Sequence, residues 1–242
     1  MVVVMWKALA VDYVTVGETV ENVVKGIIIT IGAVSVMLAL ATTYLGWWRP
    51  AMSEGRRVGP AWLWAVPVLL ILGGAINLSS ADFGNLTATF VLSLAVGTLL
   101  IGFAEELMCR GLLVVGFRGS LREPMVWLAS TMLFALLHAI NVLFGQSPGA
   151  TGGQIVFAFL AGTALYVARM VTGGLLVPIL VHAFWDFAGF TVGASGVTTS
   201  NGVGFLLAVL GYVLAIVGLV FVFRAKSAEE AVAGSGQEAV AV

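Results

Sequence analysis

Long apolar stretches dominate the chain, and the few charged positions interrupt them at intervals. A helix that crosses a bilayer needs about 20 mostly apolar residues. The pattern therefore predicts an all-α protein, a polytopic bundle of membrane-spanning helices. The stretches without a charged side chain are 26–48, 58–81, 83–104, 125–168, 170–185 and 187–223.

Turn signals divide these stretches into individual spans. The stretch 125–168 is too long for one helix, and its Gly- and Pro-rich run 145–153 predicts a turn between two. The segment 175–190 is predicted to be one helix although Asp186 interrupts it, and the Gly, Ser and Thr residues of 191–204 predict a loop. We therefore predict seven spans, at about 26–48, 61–79, 85–117, 124–144, 154–170, 174–190 and 203–223.

The rest of the chain is short, so a single membrane domain is predicted over residues 26–224. Residues 1–25 open with apolar residues but contain five charged side chains, which favours an interfacial N-terminal segment, with an eighth span as the alternative. Residues 225–242 are small, polar and acidic, which is typical of a disordered tail.

Composition supports a membrane protein and excludes several other classes. Hydrophobic residues make up 60% of the chain and charged residues 10%, whereas a soluble domain carries about a quarter charged residues. The formal net charge is −1 and the longest basic tract is Arg56-Arg57, which argues against nucleic acid as a partner. Cys109 is the only cysteine, so a disulfide framework is excluded.

The positions of Lys and Arg predict the orientation, because cytoplasmic loops are enriched in them. Of 11 basic residues, Lys7 and Lys25 lie on one side of the predicted bundle and Arg110 lies within a span. We therefore predict an external N-terminus and a cytoplasmic C-terminus. The eight basic residues on the predicted cytoplasmic side are Arg49, Arg56, Arg57, Arg118, Arg122, Arg169, Arg224 and Lys226.

A small set of ionisable residues lies at membrane depth, and it contains both histidines of the chain. Each charge placed there costs about 2.5 to 3.5 kcal/mol, so such residues face a bundle interior or a water-filled cavity and mark function. Counting about 1.5 Å per residue places four of them about 12 to 21 Å from the predicted cytoplasmic helix ends, in one layer. The set consists of Glu105, Glu106, Arg110, His138, His182 and Asp186.

Spacing suggests a role for each side chain. Glu106 and Arg110 stand four residues apart in the favourable order, which predicts an ion pair that also holds the carboxylates. Glu105 lies about 100° around the helix from Glu106 and is the freer carboxylate. His182 and Asp186 are also four residues apart, so Asp186 is predicted to orient the imidazole and fix its tautomer.

Two chemistries fit this set. A carboxylate in a site of low dielectric is a competent base for water, and His138 can share that water with Glu105. His182 and Asp186 can then donate hydrogen bonds to the oxyanion as it develops. Alternatively, Glu105, His138 and His182 form the two-nitrogen, one-carboxylate set of catalytic zinc. Both predict hydrolysis of an amide within the membrane. A membrane scaffold without catalysis and a proton-coupled transporter are the other classes that such residues allow.

Three motifs carry a resemblance to a known family. Glu105-Glu106-Leu107-Met108-Cys109-Arg110 fits EExxxR, the segment from Phe134 to His138 fits FxxxH, and that from His182 to Asp186 fits HxxxN/D. Together they resemble the CPBP intramembrane proteases, which include CAAX prenyl endopeptidases and bacterial proteins linked to bacteriocin processing, immunity and abortive infection. The resemblance covers about residues 100–190.

The resemblance implies an integral protein of a prokaryotic cell membrane, whose active site opens towards the cytoplasm. It implies a membrane-associated peptide or protein substrate, water activated by Glu105 and His138, and an oxyanion site at His182 and Asp186. Where eukaryotic and archaeal CAAX proteases have Asn, this chain has Asp186, which donates a hydrogen bond only when protonated. No cofactor is required on the glutamate mechanism, and Zn is required on the other.

Overall fold

The structure is a computed structural model and describes residues 2–197 and 201–240. Its described part is almost entirely helical and contains no strand, which confirms the predicted all-α bundle. Seven described helices are long and apolar enough to cross a membrane. They are α2 Val20–Leu45, α4 Ala61–Leu78, α5 Ala88–Arg118, α6 Glu123–Phe144, α7 Pro148–Thr172, α8 Leu176–Ala194 and α9, which runs as Gly202–Val240. The two short helices are α1 Val2–Ala8 and α3 Trp48–Met52.

The observed helix ends differ from the predicted ones where a capping residue acts. Helix α2 begins at Val20 instead of 26, because the Thr19 side chain accepts a hydrogen bond from the backbone of Asn22 at 3.1 Å. Helix α7 begins at Pro148 instead of 154, with Ser147 as its N-cap, so three glycines of the predicted turn lie inside the helix and Gly145 alone stays outside it. Helix α9 continues past the predicted end at 224 and through most of the predicted tail.

The N-terminal segment, residues 2–19, packs onto one end of the bundle. Helix α1 has only seven residues, and the described residues before Val20 form no further span. Trp6 anchors this segment, because its indole Nε1 donates a buried hydrogen bond of 2.8 Å to the carbonyl oxygen of Gly26. Its ring also meets Phe144 of α6 edge-on, with centroids 5.0 Å apart. The segment is therefore an integral wall of the bundle.

A glycine lets the two helices that carry the motifs approach closely. Gly102 of α5 faces α8, and a Cβ added there would lie 2.6 Å from the carbonyl oxygen of Ile179 and 3.0 Å from the backbone nitrogen of Ala183. No larger residue fits between these backbones without a shift. Because Glu106 follows Gly102 by one turn and His182 precedes Ala183, this contact brings the motif side chains together.

The opposite end of the bundle is closed by a buried charge cluster around Glu54, which lies between α3 and α4. Its carboxylate contacts Arg169 at 2.5 Å, Arg118 at 3.0 Å and Lys226 at 3.1 Å. Burial acts to raise the pKa of Glu54, but the charges of Arg169, Arg118 and Lys226 outweigh it and lower the pKa to about 2. Three basic residues that mark this side in the sequence therefore converge on one acidic group.

Candidate active site

The EExxxR motif lies where α5 changes its winding. Glu105 and Glu106 end a regular α-helical stretch, and Leu107–Leu112 forms a π-helical turn that contains Arg110. Turns of this kind are rare and are found frequently at functional sites. The predicted pair is present across the turn, because Arg110 Nη1 donates to Glu106 Oε1 at 2.9 Å and both side chains are fully buried.

Glu106 also binds His182, a contact that the sequence did not predict. His182 Nδ1 lies 2.9 Å from the same Glu106 Oε1 that pairs with Arg110. A carboxylate can only accept, so Nδ1 carries the proton of this hydrogen bond. Asp186, predicted to orient the imidazole, instead lies 3.6 Å from the other ring nitrogen, Nε2. The positioning of His182 is therefore supplied by Glu106 of α5 across the helix interface.

Phe134 supports three of these groups at once. The guanidinium carbon of Arg110 lies 3.9 Å from the centre of its ring, within the range of a cation–π interaction. The rings of His138 and His182 stand nearly perpendicular to it, with centroid distances of 5.4 and 5.7 Å. Phe134 therefore packs against the buried charge of Arg110 as well as against both imidazoles.

Glu105 and His138 present their reactive atoms to an open space. The Glu105 side chain is 25% exposed, and its Oε2 lies 3.8 Å from His182 Nε2. His138 Nδ1 lies 3.2 Å from the carbonyl oxygen of Phe134, so Nδ1 donates and Nε2 is left free for other partners. The freer carboxylate predicted from the sequence therefore shares a cavity with two imidazoles, each of which has its Nδ1 atom occupied.

A cavity of about 420 Å³ adjoins this cluster and is lined mainly by apolar side chains. Glu105, His138, His182 and Asp186 line it, whereas Glu106 and Arg110 lie buried behind them. A second cavity of about 150 Å³ shares His138, His182 and Asp186 on its other side. The four cavity-lining residues can thus contact a substrate, and the two buried ones can only hold them.

Part of the wall of the larger cavity is formed by the N-terminal segment. Trp6, Tyr13 and Val16 of that segment line it, together with Ile27 of α2 and Phe190 of α8. The predicted opening of the active site towards the cytoplasm depends on the orientation of the chain in the membrane. The orientation of the chain in the membrane stays a prediction.

Three uncharged polar residues of the cavity were missed by the sequence analysis. They are Tyr13, Asn141 and Gln154, which all line the larger cavity. The search at membrane depth considered only ionisable groups. Asn141 and Gln154 do stand out as amides in otherwise apolar spans, and a search that included uncharged hydrogen-bonding side chains would have found them. Tyr13 carries no such signal, because it lies outside the spans.

The residues proposed as zinc ligands share a cavity without forming a complete metal site in the described part of the chain. Among the described residues, no three His, Cys, Asp or Glu side chains are arranged to hold a metal ion. Glu105, His138 and His182 line one cavity, and Glu105 Oε2 lies 3.8 Å from His182 Nε2. Ligands of one tetrahedral Zn²⁺ bind at about 2.0 to 2.2 Å from it, so two of them stand about 3.4 Å apart, which is close to this distance. Zinc binding by these three residues therefore stays a prediction.

A family model matches the region of the chain that carries the three motifs. Residues 87–188 match the family model described as type II CAAX prenyl endopeptidase Rce1-like. This range contains all three motifs and confirms the resemblance to the CPBP intramembrane proteases. The family supports a CAAX-type intramembrane protease as the kind of function. No curated protein and no solved structure matches the chain significantly.

Proposed function

We propose that this protein is an intramembrane endopeptidase in which Glu105 and His138 activate the water that attacks a peptide bond. One observation carries the proposal: Glu105, His138 and His182 line a single cavity inside the bundle, where Glu105 Oε2 lies 3.8 Å from His182 Nε2. The other nitrogen of each imidazole is held, His182 by Glu106 and His138 by the carbonyl of Phe134. A base and its neighbours are thus oriented before a substrate enters.

The reaction follows from the positions of these groups. Glu105 takes a proton from water, and the water oxygen forms a bond to the carbonyl carbon of the peptide. Negative charge then develops on the carbonyl oxygen, where His182 can donate from Nε2 in its imidazolium form. Collapse of the tetrahedral intermediate breaks the carbon–nitrogen bond, and the leaving amine takes the proton from Glu105. No metal enters these steps.

Glu106 and Arg110 act as positioning residues in this scheme. Both are fully buried, and neither lines the cavity. Glu106 fixes the tautomer of His182, and Arg110 balances the buried carboxylate while it lies over Phe134. Removing one partner of a buried ion pair leaves the other charge uncompensated, which makes this arrangement sensitive to substitution.

The substrate class follows from the apolar lining of the cavity and from the family. Cavity walls formed by apolar side chains of α2, α5 and the N-terminal segment suit a substrate that is itself partly embedded in lipid. We infer a membrane-associated peptide or protein, cleaved near a C-terminal tail of the CAAX type, with a prenyl group as the apolar anchor.

Substitution of the water-activating pair tests the proposed reaction. In proteoliposomes with a prenylated CAAX reporter peptide, Glu105→Gln and His138→Ala should each lower kcat at least about 100-fold, since general acid–base catalysis contributes about 10² to 10⁴. Glu21→Gln is the matched control, because Glu21 pairs only with Lys25 on the surface of α2. Folded variants of both residues that cleave the peptide at the wild-type rate would contradict the proposal.

A further inference from the structure

The cavity wall opposite α5 carries a continuous chain of uncharged hydrogen bonds. Gln154 Nε2 of α7 donates to the Tyr13 hydroxyl oxygen at 2.6 Å, and Asn141 Nδ2 of α6 donates to Gln154 Oε1 at 2.9 Å. Polar side chains inside an apolar bundle are costly unless they are bonded or used. All three line the same cavity as Glu105, His138, His182 and Asp186.

The direction of these bonds leaves one proton available. A phenol has one proton to donate, and the Tyr13 oxygen is already an acceptor for Gln154. Among the described residues, no protein group accepts the Tyr13 hydroxyl proton. That proton is therefore free to bond with a molecule in the cavity.

The proposed reaction needs such a donor. Asp186 carries a carboxylate, which can accept a hydrogen bond when ionised but cannot donate one. Glu105, Glu106 and Asp186 all lie within 3.8 Å of His182, so carboxylates outnumber donors around the reacting atoms. An oxyanion that forms here is stabilised only by groups that present a proton to it.

Tyr13 is held firmly enough to act as that group. The segment that carries it is fixed by the buried bond from Trp6 to Gly26, and Asn22 donates to the carbonyl oxygen of Thr15 at 2.9 Å. Burial raises the pKa of Tyr13 and the nearby charges of Asp186 and Glu105 raise it further, although the bond with Gln154 acts in the opposite direction. The phenol thus stays protonated at neutral pH.

We propose that Tyr13 is a further catalytic residue, which donates a hydrogen bond to the carbonyl oxygen of the scissile peptide bond as negative charge develops there. Tyr13 keeps its proton throughout, while the water oxygen bonds to carbon and the proton of the water passes through Glu105 to the leaving amine. Gln154 and Asn141 are positioning residues for the phenol. This inference rests on the hydrolase function proposed above.

Removal of the hydroxyl group alone tests the proposal. Tyr13→Phe keeps the ring that packs against Trp6, with centroids 6.0 Å apart, and loses only the donor. We expect kcat to fall about 10- to 100-fold on the reporter peptide with KM changed less than about twofold, because loss of one oxyanion donor acts on the transition state. Tyr44→Phe is the matched control, since Tyr44 is 91% exposed on α2.

Three results separate the possible outcomes. A Tyr13→Phe variant with wild-type kcat, or with a loss confined to KM, overturns the role of Tyr13 while Glu105→Gln still reports on the hydrolase itself. If Glu105→Gln also keeps the wild-type rate, the proposed function fails instead. Should Tyr13→Phe unfold more readily than the wild type, Gln154→Met decides: it should lower kcat by releasing the phenol, and an unchanged kcat overturns the proposal.

Discussion

The charge cluster around Glu54 predicts a large and specific loss of stability when its carboxylate is neutralised. The Glu54 side chain is 1% exposed and contacts Arg169, which is fully buried, as well as Arg118 and Lys226. Arg169 also donates to the carbonyl oxygens of Ala51 and Pro50, so the cluster ties the segment before α4 to the end of α7. In Glu54→Gln the three cations lose their common counter-charge.

The magnitude follows from the pKa. The pKa of Glu54 falls from an ordinary value of 4.5 to about 2 in the folded protein. At about 1.4 kcal/mol per pH unit, this difference corresponds to about 3 kcal/mol of stability at neutral pH. A buried pair that loses one partner typically loses about 3 to 5 kcal/mol, so two independent arguments agree on the size of the effect.

The free energy of unfolding in mixed micelles of a mild detergent and SDS measures this loss. At pH 7, Glu54→Gln should be about 3 kcal/mol less stable than the wild type. Glu21→Gln, at an exposed i,i+4 pair of the same 2.5 Å length, should be unchanged because solvent screens that pair. Equal effects of the two substitutions, or none for Glu54→Gln, would refute the reasoning.

The same cluster predicts the pH dependence. Because the pKa of Glu54 is lower in the folded state, its contribution is fully present above pH 4.5 and is lost as the pH falls towards about 2. The difference in the free energy of unfolding between the wild type and Glu54→Gln should therefore disappear across this window, so that the two stability curves converge at its acid end. Curves that stay parallel from pH 5 to pH 2 would contradict the assignment.

Two further predictions concern the active site. Gly162→Ala should lower kcat at least about tenfold, because its Cβ would lie 2.5 Å from Arg110 Nη2 and 3.0 Å from the Phe134 ring. Gly153→Ala is the control on the same helix, since its Cβ would meet nothing within 4 Å, and its kcat should equal that of the wild type. Equal rates of the two variants in a peptide-cleavage assay would exclude the steric argument. Activity should survive thorough chelation on the glutamate mechanism, and a loss that only Zn²⁺ restores would favour the zinc alternative.

The sequence by itself determined the membrane-spanning helices of this protein and the ionisable residues that lie at membrane depth. Membrane insertion depends on about 20 consecutive residues, which is a local property, so the seven spans follow from hydropathy with end errors of a few residues where caps act. The cost of burying charge is equally local. It singled out Glu105, His138 and His182 before any contact was known.

Only the tertiary structure decided which of these groups touch. Contacts between helices depend on how each helix is rotated and how closely two backbones approach, and at Gly102 that approach lets Glu106 instead of Asp186 hold the His182 ring. The π-helical turn after Glu106 and the folding of residues 2–19 against the bundle carry no hydropathy signal. The same limit applies to Tyr13, whose place beside the cavity depends on contacts with residues more than 100 positions away in the chain.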